Sequence, residues 1–469
     1  MEITYEIDGP MCRPTHIRFS LHWPTAIAKV RANLLSATEH CCSELKRPEY
    51  DLEKLLIGML ERGARKGSLE VALPSGKTHL LGDGGEPQIR LRLRNARAVR
   101  KAWLDPALQF AELYMQDDLI FEQGDIYGFL TLVKTNGAKR FASTPAILHE
   151  VARMAHRLLR RHVLPETAKR NVAHHYDLDR QLFSLFLDAD LQYSCAYYET
   201  GEETLEEAQL KKKRHIAAKM QLQPGQKVLD IGCGWGGMGL YLAQMAGANV
   251  TGVTLSEEQL AVAQRRAAES DLAGSAQFLL QDYRLVEGQF DRIVSIGMFE
   301  HVGPQNFNSY FAAIKRLLKP DGVAVVHSIV RAKRNLADPP FVGKYIFPNG
   351  HIPTLSETMP AIEKARLMVK DVEILTMHYA DTLRDWRIRL HANREAVTAL
   401  YDQAFFRMWD VYLAASEVSF RLGKLANFQI QLTNRHAEAP RSRSYMQDAE
   451  RALAEVEARA AAITPTNAV

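Results

Sequence analysis

Short apolar runs rich in Val and Ile alternate with segments of helical period from residue 205 onward. A glycine-rich turn follows the first of these runs at 232–237, and a separate set of alternating strands lies upstream of them all. These three observations predict an α/β protein in which a doubly wound, Rossmann-like domain follows a smaller α+β domain. A parallel sheet of that kind offers ligand sites at the carboxyl ends of its strands, so the residues just after each run are the candidates for function.

The first 48 residues mix Pro, His and Cys without a clear period and read as an N-terminal extension. Residues 49–150 form the smaller domain. "YDLEKLLIGMLERGA" (50–64) has apolar residues at helical spacing, "SLEVALP", "KTHLLG" and "IRLRLRN" alternate as strands, and 105–133 reads as helix, short strand, helix. Residues 151–175 are rich in Lys, Arg and His, contain Pro165 and a single acid, Glu166, and read as a basic linker. The stretch is either a solvated helix face or a patch for anionic lipid headgroups, where each basic residue near the surface is worth about 1 kcal/mol.

The larger domain spans 176–447. Its pattern runs helix 206–220, strand "KVLDIG", helix 237–247, strand "NVTGVTL", helix 256–270, strand "AQFLLQDY", strand "DRIVSIGM", helix 308–318 and strand "GVAVVHSIV". A C-terminal helical tail, 448–469, carries a stripe through Leu453, Val456, Ala460 and Ile463 that reads as a packing face.

With 469 residues and 46% apolar content the chain has material for more than one core. Its longest apolar runs fall far short of the roughly 20 residues that cross a bilayer. The acidic start "MEITYEIDGP" lacks the basic and apolar regions of a secretory signal, so a cytoplasmic protein is expected. Five cysteines (Cys12, Cys41, Cys42, Cys195, Cys233) show neither a disulfide framework nor metal-site spacing, and no metal is expected. A net charge of +4 with no broad basic face or base-stacking module argues against nucleic acid as a partner.

"VLDIGCGWGG" (228–237) places Gly232, Gly234, Gly236 and Gly237 directly after a strand and before a helix, where glycine allows a tight turn and close approach of a ligand. With Asp230 two residues before the first glycine, the turn resembles the S-adenosylmethionine loop of class I methyltransferases rather than a dinucleotide site. Asp230 is then expected to accept from the methionine ammonium. No acid ends the second strand, so Thr254 and Gln259 are expected at the ribose, and Asp282, beside Tyr283 and Arg284, at the adenine amino group.

The loops after the strands carry "LQYSCAYY" (191–198), "GMFEHVGP" (297–304), "VVHSI" (325–329), "KYIFPNG" (344–350) and "MHYADTLRDW" (377–386). Methyl transfer to O or N wants a general base, whereas transfer to an unactivated carbon wants a lining that tolerates a cation. Aromatic faces, one carboxylate and imidazoles suit the second case. At these strings, together with "VAHHYDL", "GVTLSEEQ" and "QDYR", the chain resembles the cyclopropane-fatty-acyl-phospholipid synthases, within the mycolic acid cyclopropane synthase family, over about residues 50–447.

The resemblance implies a Rossmann-like methyltransferase domain and a sterol-carrier-like, lipid-binding N-terminal domain. It implies transfer of the S-adenosylmethionine methyl to a cis double bond of a phospholipid acyl chain, with bicarbonate removing a proton before ring closure. Carried over residue by residue, it places bicarbonate at Cys195, Glu300, His327, Ile329 and Tyr379. It places the cofactor at Tyr193, Ser194, Leu229, Asp230, Ile231, Gly232, Cys233, Gly234, Trp235, Gly236, Gly237, Thr254, Leu255, Ser256, Gln259, Tyr283 and Arg284. It also implies a homodimer attached peripherally to the inner face of the membrane through anionic lipids. A related enzyme losing a different proton would give methylene or methyl-branched chains. Another class, a catalytically silent lipid-binding protein, would have no need of an unbroken glycine loop and Glu300. His301 is expected to support the loop rather than the chemistry. Two departures stand out: Ala111 and Gln116-Asp117-Asp118 replace parts of a Gly-Glu-x-Tyr-Met-x-Gly segment, and Ser416 stands where relatives often have Cys. A reaction that needs a base and not a thiolate is expected to tolerate Ser416.

Overall fold

The computed structural model describes residues 51–147, 149–150, 153, 180–333, 339–348, 350–435 and 440–463. The N-terminal extension and nearly all of the basic linker therefore lie outside the described residues. The chain divides into two compact units, and the division is not a single cut: residues 335–345 and 402–415 group with the N-terminal residues, and 346–401 and 416–469 group with 164–334.

In the first unit, helix α1 (Leu52–Gly63) precedes strands β1 (Ser68–Ala72), β2 (Thr78–Gly82) and β3 (Gln88–Leu93), then α2 (Ala96–Leu104), α3 (Pro106–Met115), β4 (Leu119–Gln123) and α4 (Ile126–Asn136). Asp51 opens α1 by accepting from the Glu53 and Lys54 amides, and Asn95 and Asp125 cap α2 and α4 in the same way. The strands form one sheet in the order β2-β1-β3-β4, parallel between β1 and β3 and antiparallel elsewhere. β3 buries Ile89, Leu91 and Leu93 and exposes the residues between, the expected alternation for a sheet covered on one face.

The departure at Asp117 has a local explanation. Its φ of +62° is the left-handed region that glycine enters freely and Asp tolerates better than most residues. Arg94 and Arg407 hold its carboxylate at 2.5 and 2.6 Å. Nearby, buried Glu112 accepts from Lys344 (2.6 Å) and Tyr345 (3.0 Å), so part of the "KYIFPNG" string serves this unit.

The second unit is built on a seven-stranded sheet. Its strands are β5 (Lys227–Ile231), β6 (Asn249–Thr254), β7 (Ala276–Leu280), β8 (Phe290–Ile296), β9 (Leu318–Arg331), β10 (Met368–Leu375) and β11 (Leu425–Thr433), in the order β10-β11-β9-β8-β5-β6-β7. β7, β6, β5, β8 and β9 run parallel, and β11 pairs antiparallel with both β9 and β10. The order reverses at β5, so the crevice beside its carboxyl end is the topological switch point.

The two faces bury separate clusters. Leu229, Ile293, Ala324, Val326, Phe428 and Ile430 point to one side, with α9 (Phe307–Leu317) and α11 (Leu355–Lys364) supplying Phe311, Ile314 and Ile362. Val228, Val294 and Val325 point to the other, under α6 (Leu205–Met220), α7 (Gly237–Ala246) and α8 (Glu257–Glu269). The C-terminal helix α15 (Ser444–Ile463) begins four residues before the expected tail, and Leu453 packs on this second cluster, as a packing stripe requires. Helices α12 (His378–Ala392), α13 (Arg394–Leu400) and α14 (Gln403–Arg421) fill the segment between β10 and β11.

Phe278, 2% exposed on β7, is the ring against which the glycine turn closes: a Cβ at Gly236 or Gly252 would come within 2.9 or 2.5 Å of it. Phe278→Ala is expected to cost about 3–5 kcal/mol, read as a lower midpoint in urea unfolding.

Candidate active site

β5 delivers the glycine turn. Gly232 and Cys233 donate to the Val253 carbonyl (2.9 and 3.1 Å), which ties the turn to β6. Gly236 has φ +84°, and a Cβ there would strike Ala263 and Phe278 at 2.9 Å, so packing alone requires glycine. Gly234 is different: at φ +54° an added Cβ would meet nothing within 4 Å. The turn is thus open on that side, and a ligand can approach its backbone.

Below it Asp230 is 2% exposed, and its Oδ2 is out of solvent with no hydrogen-bond partner. Burial pushes its pKa up to about 7, against the pull of the Lys212 ammonium. A buried carboxylate oxygen without a donor beside an open glycine turn fits a ligand that brings a cationic N–H group. Leu229, Ile231 and Cys233 are buried strand and turn residues, and burial raises the Cys233 thiol well above its usual range. Trp235 donates from its indole to Glu258 (3.0 Å) and packs on Phe183.

At the end of β6, Thr254 donates to the Gln259 side chain (3.0 Å) and accepts from the Ser256 amide (3.2 Å), while the Ser256 hydroxyl caps α8 at the Gln259 amide. Thr254, Ser256 and Gln259 are buried, whereas Leu255 is 37% exposed. After β7, Asp282 is less free than its sequence position implied. Arg284 grips both carboxylate oxygens, and the Arg284 amide donates to Oδ1 at 2.9 Å. Burial would raise the Asp282 pKa, but these bonds leave it lowered. Tyr283 packs edge-on against Tyr310.

The loop 191–198 is held from behind by α6. Gln209 donates to the carbonyls of Gln192 (3.2 Å) and Ser194 (3.0 Å). Lys212, with no exposed surface, donates to Gln192 Oε1 and to Ser194 Oγ (2.9 Å), and burial lowers its pKa to about 8. From the front α12 closes the loop: Thr382 accepts from the Ala196 amide (3.0 Å), and His378 Nδ1 accepts from the Tyr198 amide (3.0 Å). Tyr193 stacks on Trp386 at 5.1 Å, and Tyr379 meets the same indole edge-on at 5.9 Å. Phe183 and Phe186 complete this aromatic wall. Cys195 is 1% exposed, and burial pushes its thiol far above the usual range, so any part it plays falls to its backbone.

The opposite wall lies at the ends of β8 and β9. Glu300, in the turn after β8, accepts from the Ile329 amide at 2.7 Å through Oε1. Its Oε2 is out of solvent and has no partner, and burial raises the carboxyl pKa against the Ile329 amide and the Ser328 hydroxyl. The Ile329 N–H is therefore committed to Glu300 and positions that carboxylate; it is not a free donor for an anion. His327, on the same face two residues earlier, is 1% exposed, and burial pushes its pKa down to about 3, so its ring is neutral. Its ring nitrogens face Gln429 (3.1 Å) and Asn427 (3.2 Å) on β11, residues absent from the sequence reading. Burial likewise lowers His301, to about 4, and its ring lies edge-on to Phe347. Ser194 lies close to Gly297 after β8, where the first carbon of any side chain would stand 3.9 Å from its Cβ.

A profile of the family described as Mycolic acid cyclopropane synthetase matches residues 164–430. The chain is 43% identical over 256 residues to the cyclopropane-fatty-acyl-phospholipid synthase of Escherichia coli K12, covering 55% of this chain and 65% of that protein's length. It is 36% identical to cyclopropane mycolic acid synthase 3 of Mycobacterium tuberculosis, over 54% of this chain and 93% of that protein. Among solved structures, the cyclopropane synthase CmaA1 complexed with SAH and CTAB superposes with a TM-score of 0.54 at 35% identity, covering 56% of this chain and 97% of that one.

In the folded chain Asp230 holds its proton to about pH 7, whereas an unfolded chain releases it near 3.8. Between those values the folded state binds more protons than the unfolded, so this group's contribution to stability falls as pH rises, by up to about 1.4 kcal/mol per unit. Asp230→Asn removes that slope. Urea unfolding of both forms through this window is expected to give a difference that grows with pH and levels off above it, and a flat difference would contradict a protonated Asp230.

Proposed function

We propose, from the premise that the chain belongs to the mycolic acid cyclopropane synthetase family, that it transfers the methyl group of S-adenosylmethionine to a cis double bond of a phospholipid acyl chain and closes a cyclopropane ring. The observation that carries this reading is the Glu300 Oε2 atom, buried and without a donor, while Oε1 is held by the Ile329 amide two residues from a neutral His327. An O- or N-methyltransferase needs a base poised over its acceptor. Here the neutral imidazole lies inside the sheet and the carboxylate is braced by a backbone amide, so neither is poised as such a base.

Residues of this chain divide the work. Asp230 would accept from the methionine ammonium, the Gly232–Gly237 turn would cradle the cofactor backbone, and Thr254 and Gln259 offer hydroxyl and amide groups to the ribose. S-adenosylmethionine, when bound, would supply the methyl group to one alkene carbon, its sulfur keeping the electron pair of the S–CH₃ bond and the neighbouring carbon being left cationic. Tyr193 and Tyr379, packed on the fully buried Trp386, would offer π faces to such a charge, worth about 0.5–2 kcal/mol each. Bicarbonate, when bound, supplies the base that takes a proton from the added methyl as the ring closes. Glu300 Oε2 lacks a hydrogen-bond donor, and an anion with one hydroxyl both provides that donor and accepts from an N–H, so the chemistry of the pair suits it. Ser416 lies half-buried on α14 and has no part in this scheme.

The acceptor would be taken from a bilayer surface, with the basic residues of 151–175 as the contact. Arg153, the one described residue of that stretch, is paired to Asp105 at 2.8 Å. Among the described residues no helix is long and apolar enough to cross a membrane.

Purified protein given S-adenosylmethionine, bicarbonate and vesicles of unsaturated phospholipid is expected to yield acyl chains with the ring-specific fragmentation of a cyclopropane. Methylene or methyl-branched products would mean that a different proton is lost, and unchanged lipid would defeat the assignment. Glu300→Gln is expected to cut turnover about a hundredfold or more and leave cofactor affinity near wild type by calorimetry. Gly234→Val, whose side chain would project into the open side of the turn, is expected to abolish cofactor binding itself. Turnover on anionic vesicles is expected to fall with added salt, since attraction between exposed charges is screened within about 8 Å at physiological ionic strength. Salt-independent turnover would remove the electrostatic contact.

A further inference from the structure

His327 is contacted on both ring nitrogens, and its neighbours determine which of them carries the proton. β9 and β11 pair so that His327 stands opposite Gln429 and Ile329 opposite Asn427. One strand further, Gln429 stands opposite Glu373 on β10. Into this transverse row α6 inserts Lys219, 1% exposed, whose Nζ lies 2.7 Å from Gln429 Oε1 and is also paired to Glu373.

An ammonium has only donors, so the Gln429 amide must turn its oxygen to Lys219. Its NH₂ then faces His327 Nδ1 at 3.1 Å, and since an NH₂ group does not accept, Nδ1 must keep its lone pair. The neutral imidazole consequently carries its hydrogen on Nε2. The Asn427 Nδ2 placed 3.2 Å from that atom would set two donors face to face, while Asn427 Oδ1 is buried with no partner. Turning the Asn427 amide end for end removes the clash and makes Oδ1 the acceptor of the Nε2–H hydrogen, as side-chain amides are assigned by their network.

We propose that Lys219 and Gln429 are positioning residues that lock His327 as the neutral Nε2–H tautomer, with Nδ1 held by Gln429 and Nε2–H by Asn427, and so remove it as a base. This rests on the bicarbonate reading above. It explains why a buried histidine at a site of proton loss does not take the proton: Nε2 is already protonated, and the Nδ1 lone pair is spent on Gln429. The network is anchored at its far end, where His215 lies 2.7 Å from Glu373 and also contacts Glu450 of the C-terminal helix. Burial would raise the Glu373 pKa, but His215 and Lys219 hold it down to about 2, so it stays charged and keeps Lys219 in place. Facing groups from the other packed elements are cationic or neutral: Lys212, Lys219, His215 and His378 all disfavour protonation of His327.

The tautomer itself tests the lock. Nitrogen-15 NMR of histidine-labelled protein, with His327 assigned from its loss in His327→Gln, needs no lipid and no turnover. It is expected to give the Nε2–H pattern unchanged through the ordinary histidine titration range. In Gln429→Glu the new carboxylate can accept from Nδ1–H, and the pattern should change to the Nδ1–H or doubly protonated form. Lys219→Met, which frees the Gln429 amide to turn, should shift the pattern in the same direction, and Lys219→Arg, which keeps the donor, should restore it. An Nδ1–H or normally titrating His327 in the wild-type protein would overturn the proposal, as would an unaltered tautomer in Gln429→Glu. If no lipid is methylated the functional reading fails while the NMR result still decides the tautomer.

Discussion

The antiparallel pairing of β11 with β9 is the constraint on which the chemistry at the sheet's carboxyl edge depends. It sets Gln429 and Asn427 against His327 and Ile329, and β9 lies in parallel with β8 so that the Ile329 amide meets Glu300. The side-chain period of a strand is two, so a slip of one residue would carry Phe428 and Ile430 to the polar face and expel Gln429 into an apolar cluster. The apolar residues Phe428, Ile430 and Leu432, all fully buried, specify this register, and the polar row follows from it.

Burying so many polar groups is costly unless each finds a partner, and α6 provides the partners. Gln209 and Lys212 hold the loop 191–198, Lys213 pairs with Asp190, and His215 and Lys219 reach Glu373. One helix thereby braces both the loop 191–198 and the polar row across β9, β11 and β10 through successive turns. Among the described residues several buried oxygens still lack a donor, Gln209 Oε1 on α6 included, and two of them, on Asp230 and Glu300, belong to carboxyl groups just before the glycine turn and just after β8.

Much of the second unit was legible in the sequence. The parallel strands and their helices, the glycine turn, and the candidates after each strand all follow from periodicity and local turn chemistry, which act within a few residues. The antiparallel β11 was not legible. "NFQIQL" alternates apolar and polar, the usual mark of a strand with one wet face, yet Asn427, Gln429 and Gln431 are all buried. The run "KKKRH" likewise looks solvated, but Lys212 has no exposed surface, and His215 and Lys219 farther along α6 lie buried under the sheet. Asp282 was placed by its position after β7 and Ile329 by the resemblance, and the structure pairs Asp282 with Arg284 and the Ile329 amide with Glu300.

By itself the sequence determined the fold class, the succession of strands in the second unit and the identity of the residues at their ends, because hydrophobic period and glycine placement are local properties. Only the tertiary structure decided which polar residues are buried, which donors are already spent and which side chains face the ring nitrogens of His327. Those outcomes depend on partners brought from as far as 210 residues apart, the separation of Lys219 and Gln429. A side chain's protonation and hydrogen-bonding capacity are set by what surrounds it, and no local pattern encodes those surroundings.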